Sequence, residues 1–278
     1  MEKISLNIKM LYNDMGKAEK QIADWIFANP GKIISLSIVE LAELCKCSEA
    51  TIVRFSKRLG LSGYQELKIS LAAEGGGSAV SSSIKAEDEP LHMYEKICND
   101  IYLSFEKTKK SLKADSLTEA CHKIASANKI VLFGLGNSAS VATDASHKFL
   151  RAGLNAVAYS DNHMQVIAAS HLCENDVAIG ISHSGSSKDI VDALRLAKEH
   201  GATTIAITNN GKSPLLKYTD IPLFTSADET EYSILALNSR IVQLAIVDVL
   251  YHYVVLNHSE KAQESIKETE HSLLTKKY

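Results

Sequence analysis

Two short stretches of this chain carry residue types suited to holding an anion. One reads Phe133-Gly134-Leu135-Gly136-Asn137-Ser138-Ala139, the other Ile181-Ser182-His183-Ser184-Gly185-Ser186-Ser187. Each follows a β-rich apolar run and leads into a helical pattern. Each would therefore present hydroxyls beside the N–H groups of a helix N-terminus, which favour negative charge. Ser138, Ser182, Ser184 and Ser187 offer enough neutral donors to surround a phosphate, and Gly134, Gly136 and Gly185 allow close backbone approach. Neither stretch contains lysine or arginine. The Gly-x-x-x-x-Gly-Lys-Ser/Thr phosphate loop is absent. Taken singly, either loop reads as a plain turn after a strand; the pair gains meaning from where the fold would put them.

A second kind of chemistry lies nearer the N-terminus. Ser37 followed by Glu40 is a capping box that opens a helix, with Ile38, Leu41 and Ala42 on its apolar face. Cys45-Lys46-Cys47 breaks it. Ser48 is a good N-cap for the next helix, Ile52, Phe55 and Leu59 form its inner face, and Gly60 suits a left-handed close. Two short helices joined by so brief a turn make a helix-turn-helix. The core does not need the outward residues Glu49, Ala50, Thr51, Arg54, Lys57 and Arg58. Between Lys46 and Arg58 the balance is four basic residues to one acidic. Small residues sit at the start of the second helix, where base edges are approached, and basic ones follow, where phosphates are near. Lys46, Ser48, Glu49, Ala50, Thr51, Arg54, Lys57 and Arg58 are therefore the expected contacts to double-stranded operator DNA. The competing reading is a solvated face of a helical interaction module. Cys45 and Cys47 lack a second ligand pair nearby, so no metal is expected there.

The elements that position these residues fall into two groups. The pattern before residue 75 is helical, with Ala18, Ile22, Trp25 and Ile26 at helical spacing and Asn29-Pro30-Gly31 as a stop. A Gly/Ser run, Glu74-Gly75-Gly76-Gly77-Ser78-Ala79-Val80-Ser81-Ser82-Ser83, then reads as a tether. Beyond it, residues 91–112 and 117–127 read as helices. Short strands follow at 129–133, 156–159, 177–181, 204–208 and 221–225, with room for helices in most intervals. This alternation predicts an α/β fold, a five-stranded parallel sheet of flavodoxin-like order 2-1-3-4-5 with helices on both faces. In that order the first and third strands are neighbours whose chains diverge, so both serine loops face one crevice at the switch point. The expected domains are 1–74, an all-α helix-turn-helix domain; 75–90, the linker; and 91–278, the α/β domain, with its core at about 118–255.

Residues 36–42, 48–60 and 63–68 (Leu-Ser-Ile-Val-Glu-Leu-Ala, Ser-Glu-Ala-Thr-Ile-Val-Arg-Phe-Ser-Lys-Arg-Leu-Gly and Gly-Tyr-Gln-Glu-Leu-Lys) resemble the N-terminal domain of RpiR-family bacterial transcriptional regulators. Lys46 departs from the glycine usual in that turn. Ser182-x-Ser184-Gly185-x-Ser187 and Gly136-x-Ser138 resemble the loops of the SIS (sugar isomerase) domain. The resemblance implies a regulator of sugar or amino-sugar metabolism whose DNA affinity responds to a phosphosugar. It implies phosphate contacts at Ser138, Ser182, Ser184 and Ser187, with Gly136, Asn137, His183 and Gly185 beside them. It further implies homodimers or homotetramers formed through the SIS domain. Thr230-Glu231 resembles a site-edge pair of that superfamily, so Glu231 is a candidate contact to sugar hydroxyls, though it reads equally as an acid at a helix N-terminus. His183 stands where the sugar-isomerising relatives commonly have Gln.

Composition narrows the alternatives. A net charge of −3 excludes a uniformly basic DNA packager, and five cysteines argue against a disulfide framework. Residues 1–20 lack an apolar signal core. The most apolar stretch, 241–256, is interrupted by Gln243, Asp248 and His252 and reads as a buried helix rather than a membrane span. The expected location is the cytoplasm, with no membrane partner and no cofactor. Gly134-x-Gly136-x-x-Ala139, with Asp161 further on, loosely fits a dinucleotide fingerprint but leaves the second serine loop unexplained. A sugar-phosphate aldose–ketose isomerase is the stronger rival. It would need a base, for which Glu231 is available, and an acid, for which His147, His163 or His183 are available. None has a partner at diagnostic spacing, and such an enzyme has no use for a tethered helix-turn-helix. The expectation is a regulator, not an enzyme.

Overall fold

A computed structural model describes residues 4–29, 31–74, 84, 87–227, 237–257 and 259–276. They form two compact units, one reaching from the N-terminus to Asp100 and the other built chiefly from later residues. Most of the expected tether, and Glu231 with it, lies outside the described residues.

The first unit is helical: α1 (Ile4–Leu11), α2 (Lys17–Ala28), α3 (Ile38–Leu44), α4 (Glu49–Arg58) and α5 (Tyr64–Glu74). Each turns an apolar stripe inward, and Ile8, Ile22, Leu41, Ile52, Phe55 and Leu67 are wholly buried in one core. Tyr64 and Lys68 of α5 both donate to the Leu36 carbonyl, at 3.1 Å each, and so hold the entry to α3. The long α6 (Pro90–Ser111) follows, opened by a proline, which suits a first helical position.

The second unit runs α7 (Ala114–Ser126), β1 (Ile130–Gly134), α8 (Asn137–Arg151), β2 (Ala156–Tyr159), α9 (Asn162–Ser170), β3 (Val177–Ile181), α10 (Lys188–Glu199), β4 (Thr203–Asn209), β5 (Ile221–Thr225), α11 (Leu237–Asn257) and α12 (Ser259–Leu273). All strands are parallel, in the order β2-β1-β3-β4-β5 expected from the alternation. β1 and β3 are buried along their whole length. Their alternate side chains serve opposite faces: Ile130 and Leu132 pack with α7, α8 and α11, whereas Val131 and Phe133 pack with α9 and α10. β1 starts and ends one residue later than expected, because Gly134 pairs with Ile181 while the Lys129 carbonyl only caps the ladder. β4 is longer by one residue at each end.

Within α11, Asn238–Asn257 is long and apolar enough to cross a membrane, yet Val242, Ile246, Val247, Leu250 and Val254 are buried. Four of these five, all but Val242, lie in the core on one face of the sheet.

Candidate functional sites

The helix-turn-helix is built as its residues dictate. The Ser37 hydroxyl accepts from the Glu40 N–H at 3.2 Å, and the Glu40 carboxylate accepts from the Ser37 N–H at 2.8 Å, which completes the capping box. Past α3, the Cys47 N–H reaches back to the Ala42 carbonyl and the Lys46 N–H to the Glu43 carbonyl. That is a Schellman ending, and its left-handed position falls on Lys46, with φ 51°. The α4 ending is built the same way, Leu61 to Ser56 and Gly60 to Lys57, with Gly60 at φ 85°. Two identical turns thus flank the second helix, one closed by glycine and one by lysine.

Ser48 caps α4 by accepting from the Thr51 N–H, and its hydroxyl meets that of Thr51 at 2.9 Å. Arg54 in turn donates to the Thr51 hydroxyl at 3.3 Å, so Ser48, Thr51 and Arg54 form a short chain along one side of α4. Lys46, Ser48, Glu49, Ala50, Arg54, Lys57 and Arg58 are exposed and Thr51 half-buried, while Ile52 and Phe55 lie in the core. Arg58 has a second task that spacing did not reveal. It pairs with Glu19 at 2.7 Å and donates to the Asp14 carbonyl at 2.8 Å, tying the end of α4 to the start of α2. The Cys45 thiol is pushed up to about 11 by burial and then by the neighbouring Cys47. Among the described residues, no group of three or more His, Cys, Asp or Glu could hold a metal ion.

The two serine loops leave neighbouring strands at the same level, since Gly134 is in register with Ile181. In the first, the Ser138 N–H closes a turn onto the Leu135 carbonyl. Gly136 occupies φ 54°, ψ −128°, open to glycine and closed to L side chains. A Cβ on Gly134 would come within 2.6 Å of the Ser138 carbonyl oxygen, so loop and strand end are packed backbone to backbone. In the second loop the Gly185 N–H turns back onto the Ser182 carbonyl, with Gly185 at φ 59°, and the His183 carbonyl accepts from the Asn209 N–H. Ser182 is buried, and its hydroxyl lies 3.4 Å from that of Ser187. The Ser184 hydroxyl accepts from the Ser186 N–H at 3.3 Å.

Both loops open helices without side-chain caps. Gly136 and Ser187 are the N-caps of α8 and α10; the first has no side chain to cap with, and the Ser187 hydroxyl does not bond to its own first turn. By contrast Ser37, Ser48 and Asp161 cap α3, α4 and α9. Two helices thus start without capping side chains at adjacent strand ends, from loops that carry serine hydroxyls, an arrangement suited to an oxyanion.

The remaining candidates scatter. Asn137 and Ser138 open α8. His147 lies ten residues along the same helix, about 15 Å from its start. His163 lines an open cleft of about 240 Å3 with Asn162, Val166 and Ile167 of α9 and Asp189 of α10. Glu231 falls among the residues not described.

With both sites in view, the class is clear from comparison with known proteins. Residues 2–76 match the helix-turn-helix domain of the rpiR family, and residues 123–253 match the SIS domain. The chain has the make-up of a transcriptional regulator with a helix-turn-helix and a SIS domain. A 34% identity over 280 residues links it to the HTH-type transcriptional regulator HexR of Pseudomonas aeruginosa, across 100% of this chain and 98% of that one. It is 31% identical to the regulator RpiR of Escherichia coli K12, over 94% of this chain and 89% of that one. The chain belongs to the RpiR family of transcriptional regulators. Its fold matches that of the Vibrio vulnificus NanR protein complexed with ManNAc-6P, with a TM-score of 0.83 at 23% identity over 99% of both chains.

Proposed function

We propose that this regulator binds operator DNA through α4 and adjusts that binding in response to a phosphosugar held by the serine loops. The observation that carries the reading is the pair of helix N-termini without side-chain caps at the ends of β1 and β3, whose loops carry Ser138, Ser182, Ser184 and Ser187. Neutral hydroxyls and amides bind a phosphate without a fixed opposing charge, and release it as readily. The ManNAc-6P bound by the V. vulnificus relative supports a phosphosugar as the ligand class. Gly136, Asn137, His183 and Gly185 complete the cradle, and Glu231 is assigned to its sugar edge.

On the DNA side, Ser48, Glu49, Ala50 and Thr51 face base edges, while Lys46, Arg54, Lys57 and Arg58 face phosphates. Residues 1–74 form the DNA-binding domain, 75–90 the tether and 91–278 the effector domain, which joins copies into a dimer or tetramer in the cytoplasm. The effector acts by binding one arrangement of the paired DNA-binding domains more tightly than another. A coupling of about 1–3 kcal/mol changes operator affinity roughly 5–150-fold. The chain acts as a regulator rather than an isomerase.

The test is a thermal-shift screen of hexose, pentose and amino-sugar phosphates, followed by operator binding with and without the hits. A compound that binds only the folded state raises the melting temperature. No hit, or a hit that leaves operator affinity unchanged, overturns the reading. Measurable turnover of a sugar phosphate that is lost in Glu231→Gln favours the isomerase instead.

A further inference from the structure

Gln165 is a wholly buried amide on the apolar side of α9, beside Ala168 and Ala169. Its Nε2 donates to two carbonyls, those of Tyr159 at 2.9 Å and Gly134 at 3.3 Å. These are the last residues of β2 and β1. Among the described residues its Oε1 meets no donor. The two carbonyls fix which end of the amide faces them, since a flip would set oxygen against oxygen. A methionine would fill the same space without the unmet Oε1 but would offer the two carbonyls no donor, so bulk alone gives no reason for an amide here.

Position gives one. Gly134 is where β1 stops and the first serine loop begins. The next carbonyl, that of Leu135, closes the turn that holds the Ser138 N–H. A shift of the Gly134 peptide therefore carries straight into Ser138 and the first turn of α8.

We propose that Gln165 is a positioning residue of the effector site, clamping the ends of β1 and β2 so that Ser138 and the α8 amides face the serines of the second loop. The inference rests on the anion-binding reading of that crevice. It makes the amide's donor, rather than its bulk, the property that matters.

Two substitutions separate donor from bulk. Gln165→Met keeps the volume and removes both N–H groups. Gln165→Glu sets a carboxylate against two carbonyls, and regains one O–H donor only when protonated. The full-length protein is titrated calorimetrically with inorganic phosphate in mildly alkaline and mildly acidic buffer. Each variant is compared with wild type at the same pH, which cancels the ionisation of phosphate itself. Gln165→Met is expected to bind about tenfold more weakly, one hydrogen bond's worth, while keeping its helical circular dichroism and cooperative melt. The deficit of Gln165→Glu is expected to narrow in acid. Variants that bind like wild type, or a Gln165→Glu deficit indifferent to pH, overturn the inference and leave the crevice assignment standing. Failure of wild type to bind phosphate overturns both.

Discussion

Lys46→Gly should make the helix-turn-helix more stable. Lys46 holds the left-handed position of the Schellman ending after α3, at φ 51°, and its side chain is exposed. An L-residue pays roughly 1–2 kcal/mol for that conformation, and glycine does not. Glycine also gains freedom in the unfolded chain, which offsets about 0.4–1 kcal/mol. The net gain is about 0.5–1 kcal/mol. The same turn after α4 gives the mirror experiment. Gly60 sits at φ 85° with nothing within 4 Å of an added Cβ, so Gly60→Ala should lose a similar amount through backbone conformation alone. Trp25, the chain's single tryptophan, packs against this core, so its fluorescence reports on this unit. With a urea slope of about 1 kcal/mol/M for so small a unit, the two midpoints should move about 0.5–1 M in opposite directions. A Lys46→Gly midpoint at or below wild type, with unchanged slope, would refute the reasoning. Operator affinity of the same variant reports separately on whether the Lys46 ammonium touches DNA.

Other substitutions address the two sites. Arg54→Ala should weaken operator binding and lower the salt slope by about one if its guanidinium neutralises a phosphate, as read from binding isotherms across salt concentrations. Arg58→Ala should cost about 0.5–1 kcal/mol in the Trp25 urea transition, since its pair with Glu19 is partly exposed; an unchanged midpoint would show that the pair adds nothing. Ser184→Ala should weaken the effector by roughly 1.5–3 kcal/mol in calorimetry while leaving effector-free DNA binding intact. Gly134→Ala should lower the melting temperature and abolish effector binding, because its Cβ would meet the Ser138 carbonyl at 2.6 Å; overpacking of this kind costs about 1–3 kcal/mol. Wild-type affinity in that variant would mean the loop yields without consequence.

Much of this architecture can be read along the chain. β2, β3 and β5 lie where their runs of apolar and β-branched residues end, and the strand order follows from alternation with helices. Ser37, Glu40, Ser48 and Gly60 do what local chemistry asks of them, because capping involves neighbours only a few residues apart. What escapes such reading is non-local. The Arg58 pair with Glu19 spans 39 residues and has no periodic signature. Gln165 stands 31 residues from Gly134, and within α9 it looks like any polar residue near a helix start. Lys46 is intermediate: the two helix signals around it locate the turn, and the glycine usual there points to a left-handed position, but whether a lysine takes that conformation or the turn changes shape is decided only in the folded chain, where φ is 51°. The serine loops were legible as types and spacing, and only the register of Gly134 with Ile181 brings them level.

The two sides of α4 answer to different demands. Ile52 and Phe55 are wholly buried, so substitutions there threaten folding itself. Glu49, Ala50, Arg54 and Lys57 meet solvent and owe the core nothing. Changes at such positions are usually nearly neutral for stability. On the DNA-reading role proposed for α4, a duplicated copy of this gene could drift toward a new operator one residue at a time, without first acquiring a stabilising mutation elsewhere. On that proposed role, the regulator's address is rewritable while the buried side of the same helix is held to its core.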